Sequence, residues 1–129
     1  MRYACLALLT FLTACKADET VRSYGAADRV WVLSELDGTN FAAMATLEFP
    51  EPGQIAGQAP CNRYFATLSV PYPWFKAGPI GATKMACPDL DAESQFFDAL
   101  SAMSLSEVLG DVLILSTPEG REMVFKAAD

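Results

Sequence analysis

Few side chains in this chain can do covalent or acid–base chemistry. There are four cysteines, Cys5, Cys15, Cys61 and Cys87, and a cluster of carboxylates at Asp89, Asp91, Glu93 and Asp98. Histidine is absent. That removes Ser-His-Asp and Cys-His nucleophile systems, in which imidazole carries the proton, and the commonest zinc ligand. Two cysteines with no histidine and no close Cys-x-x-Cys pair make a poor metal site, so no metal or cofactor is expected. Paired carboxylates can do acid–base work. Here their positions assign them to a helix start and its solvated face, and no acidic pair on separate strands stands out. The expectation is a protein that is not an enzyme.

Cys15 has a different setting. Met1-Arg2 is followed by an apolar stretch from Tyr3 to Leu12, then Thr13-Ala14-Cys15. One positive charge, a short apolar run and a small-residue site are the layout of a secretory signal peptide. The run is shorter than the roughly 20 residues that span a bilayer. Leu12-Thr13-Ala14-Cys15 resembles the bacterial lipobox, in which the cysteine becomes the first mature residue and carries acyl chains. An ordinary cleaved leader with a chance cysteine is the alternative. Each buried methylene adds about 0.8 kcal/mol to membrane partitioning, so several chains give lasting anchorage. Lys16 follows where aspartate would resemble an inner-membrane retention signal, which favours the periplasmic face of the outer membrane. The expected organisation is a signal peptide at 1–14, a lipid-anchored tether at 15–28 and one domain at 29–127.

The chain has 9 basic and 16 acidic residues, a formal charge of −7. An acidic chain without a basic tract argues against nucleic acid as a partner. With Cys5 in the leader and Cys15 acylated, Cys61 and Cys87 remain as an even pair. In an exported chain such a pair usually forms a disulfide; two free buried thiols are the alternative. The loop they would close is about 26 residues long, which chain entropy values at roughly 3.5 kcal/mol.

The elements that must position these groups follow from patterning. Lys16–Asp28 is small, polar and charged, and reads as the tether, with order beginning near Arg29. Val30–Leu36 is rich in branched and aromatic residues and reads as a strand, with Asp37–Asn40 as a turn. Ala45–Phe49, with Leu47 and Phe49 inward, and Gln54–Gln58 suggest a hairpin across Glu51-Pro52-Gly53. A strand is expected near Tyr64–Val70. Tyr72–Lys76 and Ile80–Lys84 are edge pieces interrupted by prolines. Pro88–Met103 predicts the one helix, capped by Asp89 or Asp91, with Phe96, Phe97, Leu100 and Met103 on one stripe. Ser106–Leu109, Val112–Ser116 and Glu122–Lys126 complete the strands, with Leu113, Leu115, Val124 and Phe125 buried. Strands around a single helix indicate an α+β fold.

Four features then stand in order: Trp31-Val32-Leu33 leading to Gly38; Cys61-Asn62-Arg63-Tyr64; Thr83-Lys84-Met85-Ala86-Cys87 before the helix; and Gly110 to Leu115 followed by a strand ending at Phe125. Together they resemble the META (HslJ-like) domain of bacterial envelope proteins, over roughly Arg29 to Lys126. The resemblance implies a curved antiparallel sheet, or half-barrel, packed on one main helix, with Cys61 and Cys87 close in space. It also implies an envelope location and an association with stress or antibiotic tolerance, and no catalytic residue set. Pro60 stands where the family usually has glycine, and proline fixes φ where glycine is free.

Asn62 and Arg63 each have a structural reading, an amide bonding in a turn and a guanidinium pairing with a carboxylate. Tyr64 completes that motif. Met85 is expected in the core and Thr83 as a backbone-bonding hydroxyl. Tyr72, Trp74 and Phe75 form an aromatic segment that is either core or a docking surface. The expected function is a non-catalytic envelope lipoprotein, on the membrane through Cys15, that binds an envelope protein or an amphiphilic ligand. The alternatives are a carboxylate-dependent enzyme on envelope polymers and an accessory or chaperone subunit of an outer-membrane assembly.

Overall fold

Apolar alternation sets the first strand, β1, at Trp31–Leu36, where Trp31 and Leu33 face inward and are buried. The computed structural model describes residues 17–128, so the leader and Cys15 lie outside the described residues. Asp37 and Gly38 follow with φ of 50° and 79°. This is the two-residue hairpin turn in which both central residues need positive φ. It returns the chain as β2, Thr39–Asn40, paired with the end of β1. The Asp37 carboxylate accepts from the Arg121 guanidinium at 3.0 Å and from the Glu122 amide at 3.1 Å. Those two donors hold it below the usual carboxylate range.

β3, Thr46–Leu47, pairs with the start of β1. β4 is Gln54–Gln58, β5 is Arg63–Thr67 and β6 is Gly81–Ala82; these form a second sheet in that order. The expected hairpin of Ala45–Phe49 with Gln54–Gln58 survives only as the bridge between Glu48 and Ala56, whose amides and carbonyls bond at 2.7 and 3.0 Å. That bridge joins the two sheets. The single α-helix among the described residues, α1, is Leu90–Ala102. β7 is Leu105–Leu109, β8 is Val112–Ser116 and β9 is Glu122–Ala127. The first sheet runs β2-β1-β9-β8-β7, all antiparallel. The fold is α+β, with one helix on antiparallel sheets that do not close into a barrel.

The helix stripe packs as its spacing requires. Phe96, Ala99, Leu100 and Met103 are buried against Leu113, Leu115, Met123 and Phe125 in one core cluster. Each large side chain so buried is worth roughly 1.5–3 kcal/mol. Phe97 is only half-buried. Phe125 is buried as expected; Val124, also expected inside, is only half-buried, and Met123 is buried instead, because neighbours along a strand face opposite ways. Asp89 occupies the N-cap position of α1, but its carboxylate makes no capping bond, contrary to expectation.

The largest departure is the segment expected to be a tether. Val21–Tyr24 forms a 3-10 turn, and Val21 and Ala26 are fully buried. Thr20 donates through its amide and hydroxyl to Asp18 Oδ1 at 2.9 and 2.6 Å, and Ser23 Oγ donates to the Asp18 carbonyl. The Trp31 indole donates to the Ala26 carbonyl at 3.0 Å. Tyr72 stacks on Tyr24 with ring centroids 4.5 Å apart. Order therefore begins well before Arg29. A one-turn helix has too few residues to show a hydrophobic period.

Candidate functional site

Cys61 and Cys87 are joined by a disulfide. Cys61 sits in the tight turn from β4 to β5, closed by the Ala59 amide donating to the Asn62 carbonyl at 2.8 Å. Pro60 fits this turn, since none of its residues has positive φ. Cys87 precedes α1. The disulfide thus ties a hairpin tip to the helix entrance.

Asn62 completes the junction and is buried. Its Oδ1 accepts from Thr83 Oγ1 at 2.8 Å and from the Met85 amide at 2.6 Å. Its Nδ2 donates to the Met85 carbonyl at 3.0 Å and to Glu93 Oε2 at 2.8 Å. A carboxamide has two lone pairs and two N–H groups, so all its capacity is used. Glu93 Oε1 accepts from the Cys61 and Asn62 amides at 3.0 and 2.7 Å. Glu93, expected on the solvated face, is buried on the inward side of α1. The signal was available. Glu93 stands three, four and seven residues before Phe96, Phe97 and Leu100, so it lies on the apolar stripe.

The other motif residues divide. Tyr64 is buried and donates to the Thr46 carbonyl at 2.6 Å. Burial, with the Glu48 charge behind it, pushes its phenol well above the ordinary value. The approach is so close that a Cβ on Gly57 would lie 2.2 Å from the same Thr46 oxygen. Thr83 bonds the Asn62 side chain, not the backbone its hydroxyl was expected to meet. Met85 was expected in the core, yet its side chain is 66% exposed. Its backbone is held by Asn62 on both sides, which fixes the chain while leaving the thioether outside. Arg63 is exposed and makes no ion pair among the described residues; only its carbonyl is engaged, by the Thr83 amide at 3.1 Å. In the aromatic segment Phe75 is buried and Trp74 is 56% exposed.

Beside this junction lies an open hollow of about 440 Å³. Ile80, Ala82, Thr83 and Lys84 form its strand wall, and Glu93, Phe97, Asp98 and Ser101 its helix wall. Neither Lys84 nor Asp98 has an ion-pair partner among the described residues. The site therefore offers a cation, a carboxylate, hydroxyls from Thr83 and Ser101, and two apolar side chains, Ile80 on the strand wall and Phe97 on the helix wall. A hollow of about 580 Å³ between the N-terminal segment and the β4–β5 side has none of the motif residues in its lining. Among the described residues no three metal-binding side chains cluster. No helix of the described residues is long and apolar enough to cross a membrane.

Residues 25–129 match the sequence profile of the META domain. The chain belongs to the META domain family. The match covers both cysteines, the Asn62 junction and the hollow. This META domain also resembles solved structures along nearly its whole length. A protein from Burkholderia xenovorans, solved by NMR, is 21% identical with a TM-score of 0.68, and 99% of each chain is covered. A DUF4847 family protein from Bacteroides vulgatus, solved by crystallography, is 13% identical with a TM-score of 0.64, covering 84% of this chain and 97% of its own. At these identities the likeness shows the fold alone. No curated protein matches the sequence.

Proposed function

We propose that this META domain is a non-catalytic binding module, held at a bacterial cell envelope by lipid on Cys15, where it supports tolerance of envelope stress or antibiotics. The hollow between β6 and α1 carries the binding part of this reading. It is concave and mainly polar, with Ile80 and Phe97 set beside Thr83, Lys84, Asp98 and Ser101, so placed polar groups would supply most of its recognition. The non-catalytic part is supported by Glu93, the buried carboxylate at the hollow, whose two oxygens accept three hydrogen bonds from the hairpin tip. It holds the fold and is poorly placed to move a proton.

The packed N-terminal segment adds a geometric consequence. Asp18, held by Thr20 and Ser23, lies three residues beyond Cys15, and three extended residues reach only about 10 Å. A lipid on Cys15 would hold the domain against the bilayer surface, not on a long leash. Lys16 in place of aspartate favours the outer membrane. The anchor is tested by Cys15→Ser, which should move the protein to the soluble fraction; retention in the membrane would remove the lipid from the proposal.

For the binding reading, a photo-crosslinking residue is placed at Ser101, and cells under envelope stress are irradiated. A defined adduct is expected, weakened by Phe97→Ala and absent when the crosslinker sits at Glu119, which is exposed and does not line the hollow. Equal labelling from both positions would refute the hollow as the site.

A further inference from the structure

β6 is an edge strand. Its neighbour on one side is β5, with Tyr64 opposite Ala82 and Phe65 opposite Gly81. The Thr83 amide bonds the Arg63 carbonyl at 3.1 Å. Antiparallel ladders alternate bonded and non-bonded pairs. Thr83 and Gly81 therefore turn their backbone groups toward β5, and Ala82 turns its N–H and C=O the other way. No hydrogen bond to the Ala82 N–H or C=O is present among the described residues. Ala82 is a lining residue of the hollow, so these groups border it. An unpaired edge of this kind is a template for another strand.

The helix wall opposite supplies selectivity. α1 carries Asp91, Glu93 and Asp98 and no basic residue. Asp98, without an ion-pair partner, faces the hollow across from Lys84, also without one. The formal charge of the whole chain, −7, adds attraction for cations. Phe97, half-buried on the same wall, adds an apolar surface to the hollow.

We infer that the hollow takes an extended peptide segment as an added strand on β6. The peptide's main chain bonds Ala82, an apolar side chain covers Phe97 and Ile80, a basic side chain meets Asp98, and a carboxylate meets Lys84. This is strand addition, in which main-chain bonds supply affinity and side-chain pockets supply selection. The inference rests on the hollow being the binding site, and it specifies the occupant as polypeptide.

The register supplies an unusually selective test. Proline at position 82 would remove only the outward N–H, because the bonds to β5 come from Gly81 and Thr83. Edge strands accept proline where its missing N–H faces solvent, and the preceding residue, Gly81, tolerates the restriction proline imposes. A phage-displayed library of random nine-residue peptides is selected on the full chain, and selected peptides are synthesised for fluorescence-polarisation titration. They should pair an apolar residue with a neighbouring lysine or arginine. Ala82→Pro should weaken them about tenfold, as expected for one lost hydrogen bond, with Ala82→Gly close to the parent and Asp98→Lys weaker. Unchanged binding to Ala82→Pro would overturn strand addition.

Should Ala82→Pro fold poorly, amide hydrogen exchange of the unaltered protein decides. Bound peptide should slow exchange at Ala82 by about tenfold or more, while Gly81 and Thr83, already bonded to β5, change little; no slowing at Ala82 refutes the inference. A library that yields no binder, alongside a non-peptide adduct at Ser101, would leave the hollow as a site and remove the peptide.

Discussion

Asn62→Asp is the substitution that probes the junction most directly. It conserves shape and exchanges one N–H donor group for an oxygen. That oxygen would stand about 2.8 Å from Glu93 Oε2, the present Asn62 Nδ2 distance. Two carboxylates at that separation repel by about 6 kcal/mol at an effective dielectric near 20. Keeping one of the pair protonated at pH 7, against an unfolded value near 4, costs about 4 kcal/mol at 1.36 kcal/mol per unit. Protonation is the cheaper escape, so about 4 kcal/mol is the expected loss at neutral pH. The Met85 carbonyl also loses its donor, adding about 1 kcal/mol at any pH. The folded variant then binds a proton that the unfolded chain has released, so its stability falls as pH rises above about 4 and recovers on acidification. Urea unfolding of both proteins at several values between about pH 4.5 and 7.5 measures this. The gap should widen by roughly 1.4 kcal/mol per unit. A gap that is constant with pH, or below about 1 kcal/mol at pH 7, would mean that Glu93 and Asn62 do not face each other as described.

Three further outcomes are expected. Replacing Cys61 and Cys87 together by alanine should cost about 3.5 kcal/mol, from reopening a loop whose ends are 26 residues apart, read as a lower denaturant midpoint; a change under 1 kcal/mol would show that the turn and helix start hold without the bond. Val21→Ala should cost about 2 kcal/mol through lost burial and a residual cavity, whereas a free tether at this position predicts no change in thermal midpoint. Tyr64→Phe should cost about 1 kcal/mol at neutral pH by orphaning the Thr46 carbonyl. The phenol's raised folded value means that its contribution is complete below the unfolded value near 10 and is lost as pH rises past it. The parent should therefore lose its advantage over Tyr64→Phe above about pH 10 in thermal melts.

Much of this architecture was legible because local pattern and burial agree. Phe96, Leu100 and Met103 repeat at helical spacing and are buried, and the β7–β8 and β8–β9 hairpins follow their turn residues. The parts that were not legible share a cause: each is decided by a partner distant in sequence. Glu93, one of several carboxylates at a helix start, reads as solvated, yet it is buried. Its donors lie 31 and 32 residues away. Met85, two residues before a paired cysteine, reads as core, yet the amide of Asn62 fixes its backbone so that the side chain stands outside. Val21 is buried through a single turn. The hollow, finally, lies between an edge of two residues and a helix face, and neither has a sequence signature of its own.

The saturation of Asn62 bears on how this chain can vary. Each of its four bonds ends on a different group, and every one of those groups is oriented by the same amide. A change at Thr83 or Glu93 alone strands a donor or acceptor at Asn62, and a change at Asn62 strands several at once. Single-step routes away from the arrangement all descend, so the three positions should exchange as a block or not at all. A double-mutant cycle between Asn62 and Glu93 should accordingly be strongly non-additive, the pair of losses summing to far more than the double variant gives up.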